Sequence, residues 1–224
     1  MVLDFSFNLE YALNKTKQEG YFFTEQGVTE EFRRELETEI DSLYLEEGDH
    51  IKRPINRGKP WEVRQFHERF YCEAKDDLVP TATRLILHLA QEVQRLYPLF
   101  PELTRWEMTE VGYQLYREGS GFISPHRDRK NDKMLSVTIT IKGTNEVIMY
   151  ETMHDPNDYR SNNLRDIFRF TTIPGSLMFL RAPGFGNGKQ VIHSVSPPAG
   201  GDRKILNLRM RPDVLKSPAE FAGM

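Results

Sequence analysis

The second half of the chain is a succession of short β-type runs, and this restricts the possible folds more than any other feature. The runs are Arg105 to Tyr116, Leu135 to Ile141, Val147 to Glu151, Ile167 to Ile173, Ser176 to Leu180, Val191 to Ser196 and Lys204 to Met210, separated by turn residues. No helical periodicity lies between them, which excludes a doubly wound parallel sheet and predicts a sandwich or barrel. Upstream, the aromatic run Tyr21-Phe22-Phe23 precedes Thr29-Glu30-Glu31, an N-cap with acids in the first turn. A helix follows with Phe32, Leu36, Ile40 and Leu43 on one face. A second amphipathic helix spans Pro80 to Tyr97, with Ala82, Leu85, Ile86, Leu89, Val93 and Leu96 on one face and Pro98 ending it. The pattern predicts one domain: helical support over 1–104, a β core over 105–211 and a loosely ordered tail over 212–224.

Composition narrows the function classes. In 224 residues, 30 Lys and Arg stand against 33 Asp and Glu, a net charge of −3. A balance of this sign provides no field to hold a phosphate backbone, so nucleic acid is disfavoured as a partner. The single cysteine, Cys72, cannot form an internal disulfide, and Met1 to Gly20 lacks the basic start of a signal peptide. The longest apolar candidate, Leu85 to Leu89, contains His88 and is far too short to cross a bilayer. The expected location is the cytoplasm; oligomeric state is not legible. Between Gly48 and Gln65, Pro54, Gly58 and Pro60 break all periodicity, and Lys52, Arg53, Arg57, Lys59 and Arg64 make the segment basic. It reads as a solvated connection or as a lid whose Arg53 and Arg57 meet an acidic substrate.

The chemistry concentrates at His126-Arg127-Asp128. In extended backbone, residues i and i+2 point to the same side, so imidazole and carboxylate converge on one ion. His193, between the strand formers Val191 and Val195, is the preferred third ligand, whereas His154 sits in a turn-like cluster with Asp155, Pro156 and Asn157. Two histidines and one carboxylate form the facial set used by non-haem Fe(II) oxygenases. In the last run, parity places Arg203, Ile205, Asn207 and Arg209 on one face and Lys204, Leu206, Leu208 and Met210 on the other. An arginine turned into a barrel requires an anion; an arginine turned outward requires only water. Arg127, Arg129, Lys130 and Lys133 flank the metal motif, either as a solvated turn or facing an anionic substrate.

Tyr113-Gln114-Leu115-Tyr116-Arg117-Glu118-Gly119, Pro125-His126-Arg127-Asp128, Pro174-Gly175-Ser176-Leu177, His193 with Pro197, and Gly201-Asp202-Arg203 together resemble the ordered signature of the Fe(II)/2-oxoglutarate-dependent dioxygenases, over about Tyr113 to Arg211. The resemblance implies a double-stranded β-helix, a jelly-roll barrel supported by N-terminal helices. It implies that His126, Asp128 and His193 bind Fe(II), and that Arg203 pairs with the distal carboxylate of 2-oxoglutarate. Tyr113 or Tyr116, with Asn207 nearby, would contact this cosubstrate; O2 is the other. Two departures stand out. Many members place Ser two residues after the anchoring Arg, where this chain has Ile205, and Arg209 resembles the later arginine of the nucleic-acid demethylase branch. Both arginines therefore stay candidates, Arg203 first because its interval after the distal His is the commoner one. By the same resemblance, Asp128 implies hydroxylation or a related oxidation and not halogenation. The expected activity is hydroxylation or another oxidation of a C–H bond of a small molecule, an amino acid or biosynthetic intermediate, whose acidic group is contacted by Arg53, Arg57, Arg127 and Arg129, with release of succinate and CO2. The alternatives are a nucleic-acid oxidative demethylase, or a barrel that binds metal or ligand without this turnover.

Overall fold

The structure, a computed structural model, describes residues 2–49, 54–74 and 76–212. The tail beyond 212, together with Lys52 and Arg53 of the basic segment, lies outside the described residues. In chain order the elements are α1 (Leu9–Glu19), β1 (Tyr21–Thr24), α2 (Glu30–Asp41), β2 (Glu46–Asp49), β3 (Gln65–Glu73), α3 (Pro80–Arg95), β4 (Glu110–Tyr116), β5 (Phe122–His126), β6 (Lys133–Lys142), β7 (Asn145–Thr152), β8 (Leu164–Thr172), β9 (Leu177–Arg181), β10 (Ile192–Val195) and β11 (Arg203–Met210).

All pairings are antiparallel and follow the order β1-β9-β6-β11-β4-β3-β5-β10-β7-β8, with β2 on the side of β3. The path curls into two facing layers, a double-stranded β-helix. β3 makes the corner: Glu68–Glu73 pair with β4, whereas Gln65 and Phe66 pair with β5. The segment expected to be purely supporting thus contributes three strands. It also contributes α1, capped by Asn8, whose side chain accepts from the Tyr11 amide 2.9 Å away.

Two apolar clusters divide the interior. The larger lies between the helices and the outer face of the β9-β6-β11-β4 layer, and includes Leu13, Phe32, Leu36, Leu85, Leu89, Val137, Ile139, Leu206 and Leu208. The smaller lies inside the barrel, with Tyr116, Ile123, Val147, Met149, Leu180 and Ile205. Strand parity generates the division. Along β6, Val137, Ile139 and Ile141 face the helices, leaving Ser136, Thr138 and Thr140, all buried, on the barrel side. β11 repeats the pattern, with Leu206 and Leu208 outward and Arg203, Ile205 and Asn207 inward.

The helix caps explain one buried charge. α2 begins at the expected Thr29, whose side chain accepts from the Phe32 amide. α3 has no side-chain cap of its own. Its first-turn amides at Thr81 and Ala82 donate instead to the buried Glu39 of α2, which also accepts from the Tyr113 hydroxyl. One carboxylate therefore ties α2, α3 and β4 together. Glu39→Ala is expected to lower the unfolding free energy by about 2–4 kcal/mol, because it removes a cap and leaves buried donors unsatisfied. Urea denaturation checks this, with Glu39→Gln losing less.

Candidate metal centre

β5 and β10 build the candidate metal centre by register. His193 stands opposite His126 across the antiparallel pair, and their ring centroids are 4.3 Å apart. The next match is Val195 with Ile123, so β5 carries one extra residue between the two pairs. Pro125 falls in this bulge, where its missing N–H removes nothing from the ladder, and the bulge sets the direction of the His126 side chain. Two residues on, Asp128 turns its carboxylate to the same side, with Oδ1 4.0 Å from His126 Nε2. The ligand atoms of His126, Asp128 and His193 all lie within 4.8 Å of one another.

The ring nitrogens not needed for a metal are occupied. His126 Nδ1–H donates to Ser124 O at 2.9 Å, and His193 Nδ1 is 3.4 Å from Val191 O. Each contact orients its imidazole and leaves Nε2 for a ligand. Burial, reinforced by the neighbouring His193, pushes the His126 pKa down to about 3, so this imidazole is neutral and free to coordinate. For Asp128, burial opposes ionisation, but His193 and the Arg209 guanidinium outweigh it and hold the carboxyl below its ordinary value. A neutral imidazole beside a carboxylate is the donor set a divalent ion requires.

The two candidate arginines differ in their surroundings. Arg203, 2% exposed, opens β11 inside the barrel beneath Tyr116, its guanidinium carbon 5.4 Å from that ring. Nη2 donates to Thr140 Oγ1 at 3.2 Å; Nε and Nη1 have no hydrogen-bond partner. Among the described residues no carboxylate pairs with it, and burial draws its pKa down to about 10. Arg209 instead lies 3.6 Å from both Glu110 and Asp132, with Asp128 nearby. Leaving a buried charge without its partner costs roughly 3–5 kcal/mol. A cation–π contact recovers about 2 kcal/mol at most. Among the described residues Arg203 is therefore a buried cation without an acid, whereas Arg209 has Glu110 and Asp132 as ion-pair partners. Asn207, between them, accepts from Thr138 Oγ1 at 2.6 Å and orders the same face.

Tyr113 does not join this group. It pairs with Leu206 in the β4–β11 register and turns onto the helices, where its hydroxyl bonds Glu39; Tyr116 pairs with Arg203 and faces inward. Three residues apart on a strand, the two tyrosines cannot share a face. The Tyr116 hydroxyl donates to Gln114 Oε1 at 2.7 Å, and Gln114 Nε2 donates to the Tyr71 hydroxyl at 2.7 Å.

A cavity of about 700 Å³ opens beside the triad, with His126, Asp128 and Arg209 in its wall. Arg129 lines it; Arg57 does not, and Arg53 lies outside the described residues. Arg127 also lines the cavity but spends its donors on the protein, on Gln190 O and Pro156 O at 2.9 Å each and on the Tyr159 hydroxyl at 3.1 Å. It braces the loop over 153–163 against both ligand-bearing segments. His154, left to that loop by the sequence, is exposed there. Sequence reasoning missed the β3 wall, Gln65, Arg69 and Tyr71, and the rim residues Trp61 and Tyr159.

With this geometry in hand, comparison with known proteins is informative. No protein-family model matches the chain, and no curated protein matches it. Solved structures do. A prolyl-4-hydroxylase from Pseudomonas putida aligns at TM-score 0.61 and 15% identity, over 91% of this chain and 98% of its own. A prolyl hydroxylase from Trichoplax adhaerens, in complex with a hypoxia inducible factor oxygen degradation domain peptide fragment, aligns at 0.60 and 12%, over 93% and 92%. An oxidoreductase of the 2OG-Fe(II) oxygenase family from Burkholderia pseudomallei aligns at 0.53 and 13%, over 91% of each chain. The chain has the fold of the 2OG-Fe(II) oxygenases. Among the described residues, no helix of this oxygenase fold is long and apolar enough to cross a membrane.

The ion cluster behind the triad yields a pH prediction. Asp132 is 1% exposed, its carboxylate has no hydrogen bond, and burial pushes its pKa up to about 6 despite Arg209. Because the folded value lies above the unfolded one, its contribution to stability is fullest below about pH 4 and is lost as pH rises through 6. Asp132→Asn is expected to gain on the wild type across that window by about 2–3 kcal/mol, then hold level. Urea denaturation at pH 4, 5, 6 and 7 measures the difference.

Proposed function

We propose that the protein is an Fe(II)- and 2-oxoglutarate-dependent oxygenase that hydroxylates a C–H bond of a small molecule. The observation that carries this reading is Arg203: a fully buried guanidinium with two unsatisfied nitrogens, in the same barrel as a two-histidine, one-carboxylate cluster. A hydrolytic zinc centre would use the same three ligands but has no need of such a cation. The names of the structural neighbours support the oxygenase class.

In this reading His126, Asp128 and His193 hold Fe(II) on one face, and Arg203 takes the far carboxylate of 2-oxoglutarate. With iron, 2-oxoglutarate and O2 bound, the centre supplies the oxidation, converting C–H to C–OH and releasing succinate and CO2. The rest falls to the chain. Ser124 O and Val191 O hold the imidazoles in the ligating tautomer. Thr140 and the Tyr116 ring fix the plane of Arg203, so its fork is set before the cosubstrate arrives. Val147, Met149, Met178 and Leu180 make the barrel interior apolar and exclude water. The substrate occupies the cavity beside the triad. A small molecule fits it better than a long peptide, because the Tyr159 amide donates to Pro60 O at 2.8 Å and ties together the two loops that form the rim.

Purified protein should form succinate from 2-oxoglutarate with a dependence on Fe(II) and O2, and Asp128→Ala should abolish this. Arg203→Gln should raise the 2-oxoglutarate concentration required by tenfold or more, while metal binding is unchanged. Equal turnover in wild type and Asp128→Ala, or hydrolysis with zinc and inertness with iron, would refute the assignment.

A further inference from the structure

The cavity beside the triad is charged against the rest of the protein. On a chain of net charge −3, its wall carries Arg69, Arg127, Arg129, Lys130 and Arg209, with Asp128 as its single acid. Arg209 is neutralised by Glu110 and Asp132, and Arg127 is engaged with protein acceptors. Among the described residues neither Arg69 nor Lys130 has a carboxylate partner, and Arg129 has only a share of Glu110. Arg69 stands half-buried on the barrel face of β3, and among the described residues no carboxylate pairs with it; its guanidinium carbon lies 5.9 Å from the Tyr71 ring. Arg129 lies over the same ring at 5.7 Å and pairs with Glu110 at 3.7 Å, a carboxylate it shares with Arg209 at 3.6 Å and Arg211 at 2.7 Å. The Tyr71 hydroxyl already accepts from Gln114, which leaves its own proton to donate. Two guanidinium groups and one phenol therefore present donors around one aromatic side chain, and Arg69 has no carboxylate partner among the described residues.

We propose that the substrate carries an anionic group, a carboxylate or phosphate, seated against Arg69 and Arg129, and that Arg69 is the residue that selects for it. This rests on the oxygenase reading for the identity of the ligand as substrate, but the anion site is separate from Arg203, which lies inside the barrel and does not line the cavity. The aromatic side chains at the wall, Tyr71, Trp61 and Tyr159, suit a flat or apolar body attached to that anion. Positive charge focused in a cleft also raises the local concentration of anions before they bind.

Trp61 provides the probe. Of the two tryptophans, it lines the cavity at 38% exposure, whereas Trp106 is 7% exposed in the helix-side core. Its fluorescence should be titrated with benzoate, phenyl phosphate and neutral benzamide, on protein loaded with Mn(II) and 2-oxoglutarate. Benzoate or phenyl phosphate should bind at least tenfold more tightly than benzamide, and whichever binds more tightly identifies the anion. Arg69→Gln should erase that preference with 2-oxoglutarate affinity unchanged, Arg69→Lys should restore part of it, and the surface change Arg95→Gln should leave it intact. The proposal is overturned if the three probes bind alike, if none binds, or if Arg69→Gln keeps the preference in a protein with wild-type circular dichroism. An acidic peptide binding tenfold more tightly than either small anion would overturn the small-molecule assignment. Absence of Mn(II) and 2-oxoglutarate binding would sink the oxygenase reading alone, since the anion preference is then scored on the unloaded protein.

Discussion

The packing of α1, α2 and α3 on one face of the β9-β6-β11-β4 layer is the constraint from which the rest follows. Those strands meet the helices with Val137, Ile139, Leu177, Phe179, Leu206 and Leu208, and this contact forms the larger of the two apolar clusters. Because the fold draws its main apolar contact from outside the barrel, the inner face is released from that duty. Threonines, an asparagine and two arginines can then occupy positions that a β-sandwich would fill with aliphatic side chains. The usual expectation, apolar inside and polar outside, is thus relaxed along β6 and β11. Their inward polar groups lie among apolar neighbours such as Met178, Leu180 and Ile205, shielded from water, where electrostatic contacts are strongest.

Within that interior the two inward arginines of β11 have opposite roles. Arg209 lies among Asp128, Glu110 and Asp132 and belongs to the ionic framework behind the metal ligands. Arg203, six positions earlier on the same face, has a hydroxyl and a ring but no acid. A buried ion pair adds little net stability, and a buried lone charge subtracts from it. The first arrangement therefore reads as positional, and the second leaves a buried cation without an acid among the described residues. Rigid strands carry both, while the loops at the rim contribute aromatic and amide groups, the division expected where chemistry is fixed and substrate contacts vary.

How much of this was legible follows from the strands themselves. Leu135 to Ile141 alternates cleanly, and its parity gives the correct faces without any structure; the same holds for Arg203 to Met210. The His126 and Asp128 pair was readable because the i, i+2 relation is local. The partnership with His193 is a register across 67 residues, which no local pattern encodes, and there strand propensity around Val191 and Val195 was the guide. β5 went unread because Gly121, Ser124 and Pro125 signal a turn, yet the bulge makes a proline acceptable there. β3 went unread because Glu68 interrupts its alternation and the preceding basic segment masks its start; Phe66, Phe70 and Cys72 against Gln65, His67, Arg69 and Tyr71 was the available signal. α1 is short and polar, and only Leu9, Ala12, Leu13 and Thr16 are buried along it. For Tyr113, the inference failed against its own parity rule: a residue three places from Tyr116 had to face the helices.

Ile205 shows why a motif cannot be read one strand at a time. The sequence places an aliphatic side chain where many similar chains have a serine, which suggests a missing hydroxyl beside Arg203. In the barrel Ile205 is 3% exposed and joins the inner apolar cluster. Its cross-strand partner on β6 is Thr140, and Thr140 Oγ1 is the atom that accepts from Arg203 at 3.2 Å. On this face the hydroxyl beside Arg203 comes from β6. Cross-strand neighbours on one face stand about 4.5–5.5 Å apart, so a side chain on either strand can serve the same guanidinium. What the site requires is a hydroxyl at that point in space. The alternation of Thr138 and Thr140 on β6 supplies it, and Ile205 is then free to close the apolar wall beneath the cation.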